Sequence, residues 1–174
     1  MLIKFKSMEP KIGNGVLICE GAKVIGEVEL GDDVSIWYNC VIRGDVNFIK
    51  IGRNTNVQDL TMVHVWHREP GEPNSGFPTI IGDNVTIGHS CIIHACRIND
   101  NCLIGMGCIV MDGAEIGSNS IVGAGSVVTK NKKFPPRSLI LGNPAKFIRE
   151  LKPAEIEEIS NSAIRYVEFK NDFL

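Results

Sequence analysis

Aromatic residues are scarce in this chain, at 6% of 174 residues. A core of stacked rings is therefore excluded, and packing must rest on Ile, Val and Leu. No run of about 18 apolar residues occurs, so no membrane-spanning helix is expected. The first residues, "MLIKFKSMEPKIG", lack the apolar stretch of a signal peptide. A soluble, cytoplasmic protein is the expectation. Formal net charge is only −2, which gives no field for nucleic acid. No C-x-x-C pair is present, so the six cysteines lack the usual zinc and redox spacings. Histidine is also rare, with four in all.

What is abundant is periodicity. Aliphatic residues recur at every sixth position, as in Ile98, Ile104, Val110, Ile116, Val122 and Val128. Glycine follows several of them, at Gly105, Gly117 and Gly123. Further runs are Ile12 to Ile42, Ile51 to Val63, and Ile81 to Ile93. Hexapeptide repeats of this kind build a parallel β-helix, in which three hexads close one triangular coil of about 18 residues. Each aliphatic side chain points inward, and stacked coils bury one continuous core. Six coils fit, with triplets 12/18/24, 30/36/42, 51/57/63, 81/87/93, 98/104/110 and 116/122/128.

A small residue stands two places before most aliphatic positions. Cys40, Cys91, Cys96, Cys102 and Cys108 fill that slot, so they are expected as small buried side chains. Cys19 is off register. Insertions are expected near "GDVNFIK" and in a protruding loop over residues 65–79, rich in Pro and Gly. After the last triplet, "KNKKFPPRS" is expected to leave the coils. Residues 1–135 then form the solenoid domain and 136–174 a C-terminal segment. Its helix spans about 153–170, opened by Pro153. Ile156, Ile159, Ala163 and Val167 give it an apolar stripe. Trp37 and Trp66 are expected as packing or interface residues.

The register also sorts the histidines. Arg43, His64 and His94 occupy the same corner position in consecutive coils, so they stack along one edge. Neighbouring coils lie about 4.8 Å apart, close enough for His64 and His94 to share a metal ion. His89 falls in a second hexad and faces a different edge. In a cyclic trimer a neighbouring chain can bring its own copy of that edge to the pair. Gln58 and Asp59 follow Val57 and face the same junction.

The stretches "SIWYNCVIRGDVNFIKIG", "TNVQDLTMVH", "VTIGHSCIIHACRI" and "LIGMGCIVMDGAEI", with "SAIRYV" near the end, resemble the gamma-class carbonic anhydrases over nearly the whole chain. The resemblance implies an all-β, left-handed parallel β-helix with a C-terminal α-helix, assembled as a homotrimer. It implies reversible hydration of carbon dioxide to bicarbonate by a metal-bound hydroxide between subunits. His64, His89 and His94 match the metal ligands. Zn2+ is the expected ion, and Co2+ or Fe2+ also accept imidazole. Arg43 and Asp45 match the family's "RGD" segment, with Asp59 as the partner of Arg43 across the interface. Gln58 matches the residue that orients the bound solvent, Asn56 a polar neighbour, and Tyr166 a tyrosine of the terminal helix. The class prototype carries a proton-transferring glutamate where Val46 stands here. His67, Glu69 and Glu72 are the loop's candidates for that task, histidine being the side-chain type suited to proton transfer near neutral pH. Two other readings share the fold: a hexapeptide acyltransferase with one histidine as general base, and a non-catalytic metal-binding scaffold.

Overall fold

The computed structural model describes residues 1–72 and 75–174. Pro73 and Asn74, inside the expected loop, lie outside the described residues. Most strands are two or three residues long, and each pairs in parallel with the strand one coil later. Three ladders result, one for each face of a parallel β-solenoid. On the first, Leu30, Ile51, Ile81, Ile98, Ile116 and Phe134 stand in register. On the second the series is Ile18, Ile36, Val57, Ile87, Ile104, Val122 and Ile140. On the third it is Val24, Ile42, Val63, Ile93, Val110 and Val128. From Val24 onward all of these are buried and form one cluster. Full burial of each such side chain contributes about 1.5–3 kcal/mol.

The hexad signals have local causes. A Cβ added at Gly105 would stand 2.5 Å from the backbone nitrogen of Ala124, and one at Gly117 2.4 Å from that of Pro136. Glycine after the aliphatic residue thus lets the next coil's backbone close in. At the corner after the first face, Asn54, Asn84, Asn101 and Asn119 adopt positive φ. Asparagine tolerates that left-handed region better than most residues. These side chains also bond between coils, Asn54 Nδ2 to Asn84 Oδ1 at 3.0 Å and Asn101 Nδ2 to Asn119 Oδ1 at 2.7 Å.

All six cysteines are free and buried. The small-residue slot supplies more than space. Cys40 Sγ donates to the carbonyl of Gln58 at 3.0 Å, Cys91 to Gly105 at 3.1 Å and Cys108 to Gly123 at 3.1 Å. Thr61 Oγ1 does the same for Gly88 at 3.0 Å. Each gives a corner carbonyl of the next coil a buried partner. Cys19 packs instead with Leu17 and Trp37.

One expectation is refined and one fails. Near "GDVNFIK" there is no loop but a continuous strand, Val41–Ile51, which turns from the third face onto the first. It pairs with Lys23–Leu30, and a register shift between Gly26 and Val28 takes up the insertion. The stack also continues past Val128, because Phe134 pairs over Ile116 and Ile140 over Val122. Phe134 occupies the inward position, so an aromatic residue hid the hexad from an aliphatic pattern. The antiparallel strand Ala145–Glu150 then covers Ser138–Gly142.

The C-terminal helix runs Pro153–Asn171 and packs on the second face. Ser35, Asn56 and Thr86 point outward there and are small enough to admit it. Ile159, Ser162 and Ala163 are buried beneath it. Lys170 is buried too, with Nζ 2.9 Å from Asp33 Oδ1 and 2.7 Å from Asn171 Oδ1. Outward residues differ on the other two faces. The first shows Lys11, Glu29, Lys50, Ile80, Arg97, Glu115 and Lys133; the third shows Lys23, Val41, Met62, Ile92, Ile109 and Val127. Among the described residues, no helix is long and apolar enough to cross a membrane.

Candidate metal centre

His64 and His94 end the third-face strands Met62–His64 and Ile92–His94, and they pair directly in the ladder. His64 Nδ1 lies 3.2 Å from His94 Nε2. With metal–nitrogen bonds of about 2.0–2.1 Å, two imidazoles on one tetrahedral zinc place their nitrogens about 3.3 Å apart. The pair therefore has the spacing of two ligands of one ion.

The opposite ring nitrogens each meet a carboxylate. His64 Nε2 stands 3.0 Å from Asp45 Oδ1, and His94 Nδ1 bonds Asp112 Oδ1. His89 follows the same rule, with Nδ1 2.8 Å from Asp59 Oδ2. A ring that donates one N–H to a carboxylate keeps the other nitrogen as a free lone pair, the usual setting of a metal-bound histidine. His89 lies after Ile87 on the second edge, away from the pair. Among the described residues of one chain, no three His, Cys, Asp or Glu side chains come together to hold a metal.

Burial lowers the basicity of His64, and the charge of Arg43 adds to that, against the pull of Asp45. The ring is held below its ordinary value, so it is neutral and ligand-competent near pH 7. Burial works against ionisation of Asp45, but hydrogen bonds from His64 and Arg43 outweigh it and hold its carboxyl low. Asp112 is similar: burial opposes its charge, while Lys130 and His94 outweigh it.

The remaining expected residues fall into two groups. Arg43 bonds Asp45 Oδ2 within the chain, not Asp59, which is engaged by His89. Gln58 is more enclosed than a corner position suggests, at 6% exposure. Its Nε2 donates to Asn56 Oδ1 at 3.1 Å; Asn56 Nδ2 donates to Thr86 Oγ1 at 2.9 Å; and Thr86 meets Ser162 of the helix at 3.3 Å. Tyr166 packs edge-on against Trp37, with ring centroids 5.7 Å apart. Both line a cavity of about 420 Å³ that His89 and Asp59 also border. Burial, then the charge of Asp59, raises the Tyr166 hydroxyl above its ordinary value. His67 is exposed, with Nε2 3.4 Å from Glu69 Oε1. Its ring lies 5.1 Å from Trp66, whose own ring lies 6.5 Å from His94.

Sequence reasoning missed Asp112, Lys130, Thr86 and Ser162. Asp112 stands one coil beyond His94 and one corner column over, so hexad register alone does not pair them. Ser162 is an ordinary helix residue until the helix is docked.

Solenoid, edge-paired histidines and their carboxylates together define a hexapeptide-repeat protein whose candidate metal ligands stand on two of its edges. Residues 6–169 match the dynactin subunit 5 family. "Probable carbonic anhydrase" of Methanocaldococcus jannaschii is 49% identical over 156 residues, covering 90% of this chain and 93% of that one. "Gamma carbonic anhydrase 2, mitochondrial" of Arabidopsis thaliana is 45% identical over 158 residues, 91% of this chain. The chain spans only 56% of that plant relative's length. A putative acetyltransferase of Bacillus cereus has a solved structure that superposes with a TM-score of 0.91 at 41% identity, covering 99% of this chain and 95% of that one. The chain therefore belongs to the family matched by dynactin subunit 5 and, by its relatives, to the gamma carbonic anhydrases.

Proposed function

We propose that this protein is a metal-dependent carbonic anhydrase that works as a homotrimer, with its sites between subunits. The observation that carries the reading is the arrangement of the histidines. Each gives one ring nitrogen to a carboxylate, two stand in register at ligand spacing, and the third waits on another edge. His64 and His94 of one subunit with His89 of the next make a three-imidazole set suited to Zn2+, and Co2+ or Fe2+ are accepted by the same donors. The third face's outward apolar column supports self-association. A heterologous contact between edges closes into a ring.

When bound, the ion supplies the Lewis acidity that makes water a nucleophile at neutral pH. The chain's own residues do the rest. Asn56 takes the Nε2 hydrogen of Gln58, which leaves Oε1 to accept a hydrogen bond from the attacking water and aim it. Asp45 and Asp59 hold His64 and His89. Arg43 holds Asp45 in one chain and meets Asp59 of the adjoining subunit. The aromatic walls at Trp37 and Tyr166 suit apolar carbon dioxide. His67 receives the proton and releases it to solvent, tethered three residues from His64 at an exposed position of the loop.

Stopped-flow hydration assays on zinc-loaded protein test the reading. The parent is active, and His64→Ala, His89→Ala and His94→Ala lose both metal and activity. Coexpressed His89→Ala and His64→Ala/His94→Ala chains regain metal at mixed junctions, whereas neither does alone. His67→Ala lowers turnover in dilute buffer, imidazole restores it, and kcat/KM stays near the parent value. A monomer with full metal occupancy sinks the interfacial site. Turnover of acetyl coenzyme A without hydration would favour the acyltransferase reading that the Bacillus cereus neighbour's description raises. Metal without either activity would leave a scaffold.

A further inference from the structure

We propose that Asp112 is the positioning residue for His94, that Lys130 fixes Asp112 in that role, and that Trp66 backs both Lys130 and the His94 ring. The inference rests on His94 being a metal ligand, as argued above. Two of the three histidine–carboxylate pairs lie within the "RGD" and "QD" stretches already tied to the site. The third does not. Asp112 comes from the following coil, beyond all three histidines, and is only 8% exposed.

Its contacts leave little freedom. Asp112 Oδ1 takes the Nδ1 hydrogen of His94, and Oδ2 accepts from Lys130 Nζ at 2.8 Å. Lys130 stands one coil further in the same corner column as Asp112, since the Asn131 N–H bonds the Asp112 carbonyl. The Lys130 ammonium is also 5.1 Å from the centroid of the Trp66 ring, a cation–π distance. Trp66 in turn stands edge to face with His94. His94 is thus held from two sides, by a carboxylate on Nδ1 and an indole against its ring.

The chemical consequence is a fixed tautomer. With its proton on Nδ1, His94 has a lone pair on Nε2, the nitrogen that faces His64. Without Asp112 the ring is free to turn or to protonate Nε2, and either change spoils the ligand. The carboxylate also raises the electron-donating power of the imidazole. Lys130 contributes indirectly, by keeping Asp112 ionised and aimed.

Zinc affinity, measured on the intact oligomer by competition with a chelating dye, reads this role directly. Asp112→Ala should weaken zinc binding about 10–100-fold. Asp112→Asn keeps the volume and an acceptor but not the charge, and should lose less. Lys130→Met should lose least. In cobalt-loaded protein the visible spectrum of Asp112→Ala should differ from the parent's, because one ligand is no longer held. If Asp112→Ala disturbs assembly, Asp112→Asn is read in its place, with sedimentation confirming the parent's oligomeric state. The control is His94→Ala. If it abolishes zinc binding while the Asp112 variant stays within about twofold of the parent, the positioning role is overturned and the metal site stands. If His94→Ala itself leaves zinc binding unchanged, the site reading fails, and the positioning role with it.

Discussion

The first and third faces of the solenoid are built on the same inward ladder yet present opposite exteriors. Inside, Ile81, Ile98 and Ile116 on one face match Val63, Ile93 and Val110 on the other, all buried. Outside, the first face alternates charges, with Lys50 3.6 Å from Glu29 and Lys133 3.3 Å from Glu115. The third shows Val41, Met62, Ile92, Ile109 and Val127, of which Ile92 is 45% exposed. A contiguous apolar column on one side of a repeat fold marks an interaction surface. The two metal-ligand candidates that stand in register, His64 and His94, end strands on that same face. The inward residue of each hexad encodes the coil; the outward residue decides whether a face meets water or a helix, or stays an uncovered apolar column.

Charge placed on each face separates these roles most strongly. If the proposed trimeric enzyme is correct, Ile92→Lys should dissociate the assembly and abolish hydration activity with it. An unpaired buried lysine costs several kcal/mol, and the substitution recurs at every junction. Ile80→Lys, the outward residue on the first face, should leave assembly and activity close to the parent's. Sedimentation velocity at micromolar protein, followed by zinc analysis, distinguishes them. Equal behaviour of the two variants would remove the distinction between the faces.

Core truncation should show the faces as equals instead. Ile98→Ala on the first face and Ile93→Ala on the third each leave a cavity in the same core cluster. Each should lose about 2–5 kcal/mol of stability, and the two losses should be similar. Urea unfolding, at a protein concentration that keeps assembly constant, measures both. A much larger loss at Ile93 would mean that the third face's interior is also tied to the interface.

Much of this was legible because the hexad is a strong, regular signal. The buried inward residues from Val24 to Val128, the buried cysteines, the stacking of His64 on His94 and the separate edge of His89 all follow from counting sixes, whereas Ile12, at the open end of the stack, is exposed. The pattern broke where a residue did its job with different chemistry. Phe134 fills an inward position without being aliphatic, so the stack was expected to stop too soon. The "GDVNFIK" insertion kept β geometry because a register shift absorbed it, and a count of hexads sees only a gap. Side-chain partners were less legible than positions. Arg43 has Asp45 beside it in the chain, and Asp112 reaches His94 from another coil and column. Nothing in the hexad register marks Lys170 for burial, which follows only once the helix docks and brings it to Asp33.

The helix that shields the second face offers the smallest effect. Its first turn is held by Glu155, whose carboxylate accepts both Arg149 nitrogens at 2.8 Å and the Lys152 N–H at 2.7 Å. The Arg149 hydrogen bonds, then that N–H, hold the Glu155 carboxyl at about 2, against an ordinary 4.5. The sign follows from which state takes up the proton first. On acidification the unfolded chain protonates near 4.5 while the folded chain remains ionised, so folding is progressively penalised as pH falls. The stabilisation is therefore complete above about 4.5 and gone once pH drops through about 2. Because the pair is solvent-exposed, its contribution is modest and weakened by salt. Glu155→Gln should be slightly less stable than the parent at pH 7, and the difference should vanish as pH approaches 2. A carboxyl titration followed by NMR should place the Glu155 midpoint near 2, and a midpoint near 4.5 would show that the cap does not form in solution. The third face carries no such helix, so the variant should leave sedimentation unchanged, and a change in assembly would mean that the helix and the subunit junction are coupled.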